Sequence, residues 1–299
     1  MNHLKRAGLA VALSVAAGSA EAQLGMFSSE QRVALTSEWA GERFPDGRPK
    51  VADGVLERMK EVTAEEAWGV LTGAGYKSQF EGGWKEINAG APGRRLVGRV
   101  VTAVFMPLRP DLNGAIDKAA AAEARVAKGQ NSWVIDTLQP GDVLVVDLFG
   151  KIDKGTFIGD NLGTSIYAKT GKGVVVNGSV RDLSGILEIQ GFHGFVRDFH
   201  PTALADTTLV GINVPIRIGG VTVLPGDVVL SDPEGLTFIP PHVVERVVTS
   251  SEDVRFRDEW GHEMLRQGKY TPGQIDTRWS EAMETEYQAW AKARRAKNP

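Results

Sequence analysis

The residue types best suited to chemistry are gathered in one stretch, IGDNLGTSIYAKTGKGVVVNGSVRD, from Ile158 to Asp182. It opens on Gly159, Asp160, Asn161, Leu162 and Gly163 and closes on the adjacent pair Arg181 and Asp182. The opening lies at the start of an expected helix, where backbone N–H groups and the helix dipole favour an anion. Its glycines let a ligand come close to the backbone. A small carboxylate suits such a site as well as a phosphate does. Arg181 offers a fork of donors that can hold a carboxylate or polarise a keto oxygen. Asp182 is a hard oxygen ligand, suited to a Mg²⁺ that keeps most of its waters. A cation held there would act as a Lewis acid on a keto group and stabilise an enolate. Asp160 is a candidate to hold a metal-bound water or to move a proton. By spacing alone the same residues also fit a structural reading, with Arg181 and Asp182 a turn pair and Asp160 a helix cap.

Composition narrows the alternatives. The chain of 299 residues has no cysteine, which removes thiolate nucleophiles, Cys metal sites and disulfides. The five histidines (His3, His193, His200, His242, His262) show no H-x-H or H-x-x-x-H spacing, so a His-based zinc site is not expected. There is no P-loop and no G-x-S-x-G elbow, and GAGYKSQFEGG matches a dinucleotide fingerprint poorly. A net charge of -3 gives no basic field for nucleic acid.

The elements that must position the two clusters can be read from hydrophobic period and turn residues. A strand at Val143 to Leu148 feeds the glycine loop, and the Val174-Val175-Val176 run feeds Asn177, Gly178 and then Arg181. In an open α/β sheet ligands sit beyond the carboxyl ends of strands, so both clusters are expected to face one pocket. NLGTSIYAKTGKG reads as the intervening helix, ending at a glycine. RRLVGRVVTAVFMPL, 94–108, is a further Val-rich strand, and DKAAAAEARVAKG, 117–129, an exposed helix in an inserted segment. PGDVLVVD at 140–147 recurs as PGDVVLSD at 225–232, a turn feeding a buried strand twice within one core.

At the N-terminus MNHLKR, an apolar run too short to span a bilayer, and AEA before Gln23 form a secretory signal pattern with cleavage expected after Ala22. The mature chain is therefore expected to be exported, in the periplasm, and free of the membrane. Three helices follow. The first is capped by Ser28 or Ser29 and turns Val33, Leu35 and Trp39 inward; the third starts at a Thr63–Glu66 capping box. The helical pattern returns from Val243 to about Gln267 and in the polar segment that ends the chain. The expected organisation is a leader at 1–22, a helical segment at 23–93, an α/β core at 94–242 and a helical segment at 243–299.

GDNLG, GKGVVVNGSVRD and VLPGDVVLSDPEGLTFIPP in combination, with LVGRVVTA at 96–103, resemble the class II pyruvate aldolases that act on 4-hydroxy-4-methyl-2-oxoglutarate. That family is shared with the regulators of ribonuclease activity A, and the similarity runs from about Leu56 to Asp276. The resemblance implies an αββα sandwich of the swivelling-domain type, assembled as trimers or hexamers with sites between subunits. It implies that the backbone at Gly159, Asp160, Asn161 and Leu162 receives a pyruvyl carboxylate and that Arg181 contacts the keto and carboxylate groups. It implies Asp182 as the direct ligand of Mg²⁺ or Mn²⁺, and an acid from a neighbouring subunit's C-terminal helix, Glu259, with Asp258 and Glu263 as competitors. The implied activity is metal-dependent cleavage of a 4-hydroxy-2-oxo acid to pyruvate, with oxaloacetate decarboxylation as a side reaction. The alternative is a non-catalytic binding protein of the ribonuclease-regulator type. A methyltransferase label also attached to the family finds no glycine-rich methyl-donor loop here. The N-terminal extension and the 109–132 insertion depart from the family pattern and bear on the substrate, as do Arg197 and His200, for which structural roles are expected.

Overall fold

The computed structural model describes residues 27–88, 95–123, 125 and 129–297; the expected leader at 1–22 lies outside the described residues. In chain order the elements are α1 (Ser29–Leu35), α2 (Asp53–Met59), α3 (Ala64–Gly73), β1 (Phe80–Glu81), β2 (Lys85–Ile87), β3 (Val97–Pro107), α4 (Pro110–Ala122) and α5 (Gln130–Asp136). Then come β4 (Asp142–Thr156), α6 (Asp160–Thr170), β5 (Val174–Val180), α7 (Leu183–Leu187), β6 (Gly194–Phe199) and β7 (Thr207–Ile212). The chain continues through β8 (Ile216–Ile218), β9 (Val221–Val223), β10 (Val228–Asp232), β11 (Gly235–Ile239), α8 (Val244–Arg266), α9 (Pro272–Ile275) and α10 (Glu281–Lys297).

The main sheet is mixed, in the order β1-β11-β10-β3-β4-β5-β6-β2, with β7 also paired to β3. Its centre, β3-β4-β5-β6, is parallel, and the connections carry α4 and α5, then α6, then α7. Parallel neighbours need such crossovers, and those helices cover one face of the sheet. Strand alternation divides the core accordingly. Leu144, Val146 and Leu148 of β4, with Val174 and Val176 of β5, pack with residues of α5, α6 and α7. Val143, Val145 and Val175 point the other way, onto β8, β9 and β11. Leu56, Met59 and Leu71 of α2 and α3 join Val247 and Val248 of α8 over β10 and the start of β3. The chain thus forms a mixed α/β fold around one large sheet. Among the described residues no helix is long and apolar enough to cross a membrane.

Local signals explain much of this. The Thr63–Glu66 capping box is present, with both reciprocal hydrogen bonds. Gly171, at φ 65°, ends α6 in the left-handed conformation that favours glycine. Both Pro-Gly-Asp turns are built alike: Gly141 and Gly226 have φ of 81° and 90°. In each turn the aspartate accepts from the N–H three residues back, Gln139 to Asp142 and Leu224 to Asp227. β4 then runs parallel to β3 and β10 antiparallel to it.

Three expectations are corrected. α1 does not turn Val33 and Leu35 inward; they are 39% and 42% exposed, and the buried side chains are Arg32 and Thr36. The helix has only seven residues, and Arg32 is drawn in by the carbonyls of Asp46 and Phe27. Trp39 lies beyond its end and packs in part on the α2/α3/α8 cluster. The inserted helix begins at Pro110 rather than Asp117, because proline suits a first helical position, whose N–H needs no partner. β4 does not stop at Leu148 but continues to Thr156. Asp147 pairs with Asn177 and Thr156 with Ser179, so most of 148–155 bulges out of register. Two short strands carry no sequence signal of their own: β1 and β2 lie in the segment read as helical and pair with β11 and β6.

Candidate active site

A cavity of about 600 Å³ opens beyond the carboxyl ends of the central parallel strands. Its lining brings together Gly159, Asp160, Asn161 and Leu162 after β4 with Arg181 and Asp182 after β5. The two clusters are tied by backbone: the Arg181 N–H donates to Ile158 O at 3.0 Å, and the Phe157 N–H to Ser179 O at 2.9 Å.

Packing shows how close the clusters come. A Cβ built on Gly159 would lie 2.4 Å from Asp182 Oδ2 and 3.4 Å from Arg181 Cγ. The glycine is therefore required by a carboxylate, not by its own backbone, whose φ of -118° suits any residue. Asp182 is held at φ 53°, left-handed, which aspartate tolerates at some cost. It stands just before α7 but gives that helix no side-chain cap. Among the described residues the cation paired with its carboxylate is Arg181, whose Nε is at 3.6 Å, beyond hydrogen-bonding distance, and both side chains are about half exposed. Among the described residues no hydrogen bond reaches the Asp182 carboxylate, so its oxygens are open to a ligand.

Asp160 is half-buried at the first position of α6, where a carboxylate is favoured by the helix dipole. Its Oδ1 accepts from the Asn161 N–H at 2.8 Å. It packs on α7, where a Cβ on Gly185 would meet Asp160 Cβ at 2.7 Å. The first N–H groups of a helix lack intrahelical acceptors. That of Asn161 is already occupied by Asp160, which leaves the N–H groups of Asp160 and Leu162 for a ligand.

A divalent cation fits this donor set in one way. Asp182 supplies an uncommitted carboxylate, and the described residues hold no group of three or more His, Cys, Asp or Glu side chains that could cage a metal. A cation here would be held by Asp182 with water completing its shell, a manner natural to Mg²⁺.

Another part of the lining is one that the motif does not reveal. Asn113 and Asp117 of α4, with Gln130 and Asn131 of α5, also line the cavity. The only signal was their polarity and the i,i+4 spacing of Asn113 and Asp117 within the insertion. Arg197 and His200 lie elsewhere. Arg197 stacks on Trp84 at 3.9 Å and bonds Asn177 Oδ1 and Glu81 Oε1. His200 meets Thr202 Oγ1 at 2.9 Å, beside the loop whose Ala203, Leu204 and Ala205 border the cavity. Glu259 is on α8, 3.4 Å from Arg294, and does not line the cavity of its own chain. Of its competitors, Asp258 borders a second cavity and Glu263 accepts from Trp290 Nε1 at 3.0 Å.

Comparison with known proteins places the chain in a family. A family model described as RraA-like, Aldolase/RraA, matches residues 64–238. A Halalkalibacterium halodurans protein provisionally named 4-hydroxy-4-methyl-2-oxoglutarate aldolase is 33% identical over 145 residues, 46% of this chain and 67% of that protein. A Thermus thermophilus protein named 4-hydroxy-4-methyl-2-oxoglutarate aldolase is 33% identical over 108 residues, 36% of this chain and 64% of that protein. Among solved structures, a Streptomyces coelicolor protein described as an unusual member of the RNase ES inhibitor RraA protein family aligns at a TM-score of 0.60. That pair is 26% identical, covering 72% of this chain and 99% of the other.

Proposed function

The chain belongs to the Aldolase/RraA family, and we propose that it is a divalent-metal-dependent lyase that cleaves a 4-hydroxy-2-oxo acid to release pyruvate. One observation carries the reading: the Asp182 carboxylate is set directly against Gly159, so that an acid ligand, a guanidinium and a helix N-terminus share one cavity wall. A carboxylate and an adjacent keto oxygen need that combination. On this reading the fold is the αββα sandwich of the swivelling-domain type, working as a trimer or hexamer, with Glu259 contributed by a neighbouring subunit. On this reading the enzyme works as an exported protein.

The pyruvyl carboxylate binds the N–H groups of Asp160 and Leu162 and the positive end of α6. Arg181 holds the keto oxygen and the near carboxylate oxygen, and its fixed fork orients C2 and C3. A Mg²⁺ or Mn²⁺ held by Asp182 and water, when bound, supplies Lewis-acid stabilisation of negative charge on the keto oxygen. Asp160 accepts the proton of the C4 hydroxyl. The C4 oxygen then forms a carbonyl, the C3–C4 bond breaks, and its electron pair passes to C3 and the C2 oxygen as the enolate of pyruvate. Arg181 stabilises that charge as it develops. Solvent delivers a proton to C3, which yields pyruvate, and Asp160 gives back to solvent the proton it took from the C4 hydroxyl. Loss of CO₂ from oxaloacetate leaves the same enolate, which makes decarboxylation the expected side activity.

Pyruvate release coupled to lactate dehydrogenase tests the proposal. Activity should appear with Mg²⁺, vanish with a chelator and return on adding the metal; chelator-insensitive release would refute it.

A further inference from the structure

We infer that Asp117 selects the substrate, and that the fragment beyond C4 is an uncharged, hydroxyl-bearing chain rather than a second carboxylate. The inference rests on the lyase reading above and concerns the half of the cavity that the reading leaves unassigned.

The observation is the way Asp117 is held. Its Oδ2 accepts from Asn113 Nδ2 at 2.8 Å and its Oδ1 from Gln130 Nε2 at 3.3 Å. Those amides are fixed in turn. Gln130 Nε2 also donates to Asn113 Oδ1 at 3.0 Å, and Gln130 Oε1 accepts from the Leu209 N–H at 2.6 Å. Asn113 Oδ1 accepts from Thr208 Oγ1 at 3.2 Å. The amides are thus engaged with one another and with β7, while each Asp117 oxygen retains a lone pair toward solvent. Among the described residues no Lys, Arg or His forms an ion pair with Asp117. The result is a solvent-facing carboxylate, oriented by two amides, on the part of the cavity lining that α4 supplies.

Charge then discriminates among substrates. The described charged residues that line the cavity are Asp117, Asp160, Asp182 and Arg181, and the proposed divalent cation is held at Asp182, not at Asp117. Arg181 is assigned to the pyruvyl end. A dicarboxylate would set its second carboxylate toward Asp117, with like charges opposed in a partly enclosed space. A hydroxyl there donates to Asp117 in a charge-assisted hydrogen bond, roughly twice as strong as a neutral one. The cavity, at about 600 Å³, is large enough for a six-carbon acid.

The test uses the full chain with Mg²⁺ and compares 4-hydroxy-4-methyl-2-oxoglutarate with 4,5,6-trihydroxy-2-oxohexanoate by pyruvate release. In parallel, deuterium exchange into the methyl group of pyruvate reports enolate formation with no distal chain present. The trihydroxy acid should be favoured in kcat/KM by roughly 10-fold or more, the scale of one hydrogen bond to a charged group. Asp117→Asn should lower that preference mainly through KM, as expected of a contact present before and during bond cleavage. Asp117→Lys should shift preference toward the dicarboxylate, and exchange in the wild-type protein shows that the pyruvyl end works. Exchange with the dicarboxylate preferred, or a preference unmoved by either substitution, overturns the inference and leaves the lyase reading standing. Loss of exchange in the wild-type protein overturns both.

Discussion

Gly159→Ala isolates the site from the fold. The backbone at Gly159 is compatible with alanine, so the added methyl acts only through what it touches. It would lie 2.4 Å from Asp182 Oδ2. Restoring an ordinary contact of about 3.5 Å requires a shift of about 1 Å, and the carboxylate is the group free to give. A displacement of that size at a reacting centre costs on the order of 100-fold in rate, about 2.7 kcal/mol of barrier. Folding is affected far less. Alanine is poorer than glycine before the first turn of a helix by about 1 kcal/mol. The stiffer unfolded chain recovers roughly 0.4–1 kcal/mol. The melting temperature should therefore move by less than about 4 °C. Metal-dependent pyruvate release and thermal melting, measured on the same preparation, give the two numbers. Wild-type kcat/KM in Gly159→Ala would show that the position of the Asp182 carboxylate does not matter and would refute the reasoning.

Asp182→Asn retains a residue that tolerates the left-handed backbone but removes the charge; pyruvate release and its response to Mg²⁺ should fall by at least about 100-fold with a native circular dichroism spectrum. Arg48 and Asp142 form a wholly buried ion pair at 3.1 Å. Arg48→Met leaves that acid unpaired and should destabilise the protein by roughly 3–5 kcal/mol in urea titration, with no selective effect on metal dependence. Asp227 is buried with one backbone N–H on its carboxyl, and burial raises its pKa from 3.8 to about 7. Between those values the unfolded chain loses the proton and the folded chain keeps it, so stability from this group falls as pH rises from about 4 to 7. Asp227→Asn should flatten that part of the stability–pH curve, read from denaturant midpoints at pH 4.5, 6 and 7.5.

The chain's local instructions were legible in its sequence wherever one residue type answers one local need. The capping box at Thr63, the glycine that ends α6 and the two Pro-Gly-Asp turns are of that kind. The glycine loop and the Arg181–Asp182 pair were legible as well, because each lies downstream of an apolar run, Val143 to Val146 in β4 and Val174 to Val176 in β5. What failed locally was α1, where apolar spacing suggested an inward face and a buried arginine took it.

Only the tertiary structure decided the rest. Asp142 and Asp227 occupy equivalent turns with the same backbone hydrogen bond, yet Arg48 reaches the first from 94 residues away and no described cation pairs with the second. Sequence determined the turn in both cases; distance through space determined which acid has a cationic partner. The same holds for the site. The motif named the residues that could take a carboxylate, a keto group and a metal. That Asp182 lies against Gly159 and that Asp117 joins the same cavity lining depend on parallel strands and crossover helices meeting at one end of the sheet. Electrostatic and packing forces act on separation in space, and only the fold sets that separation.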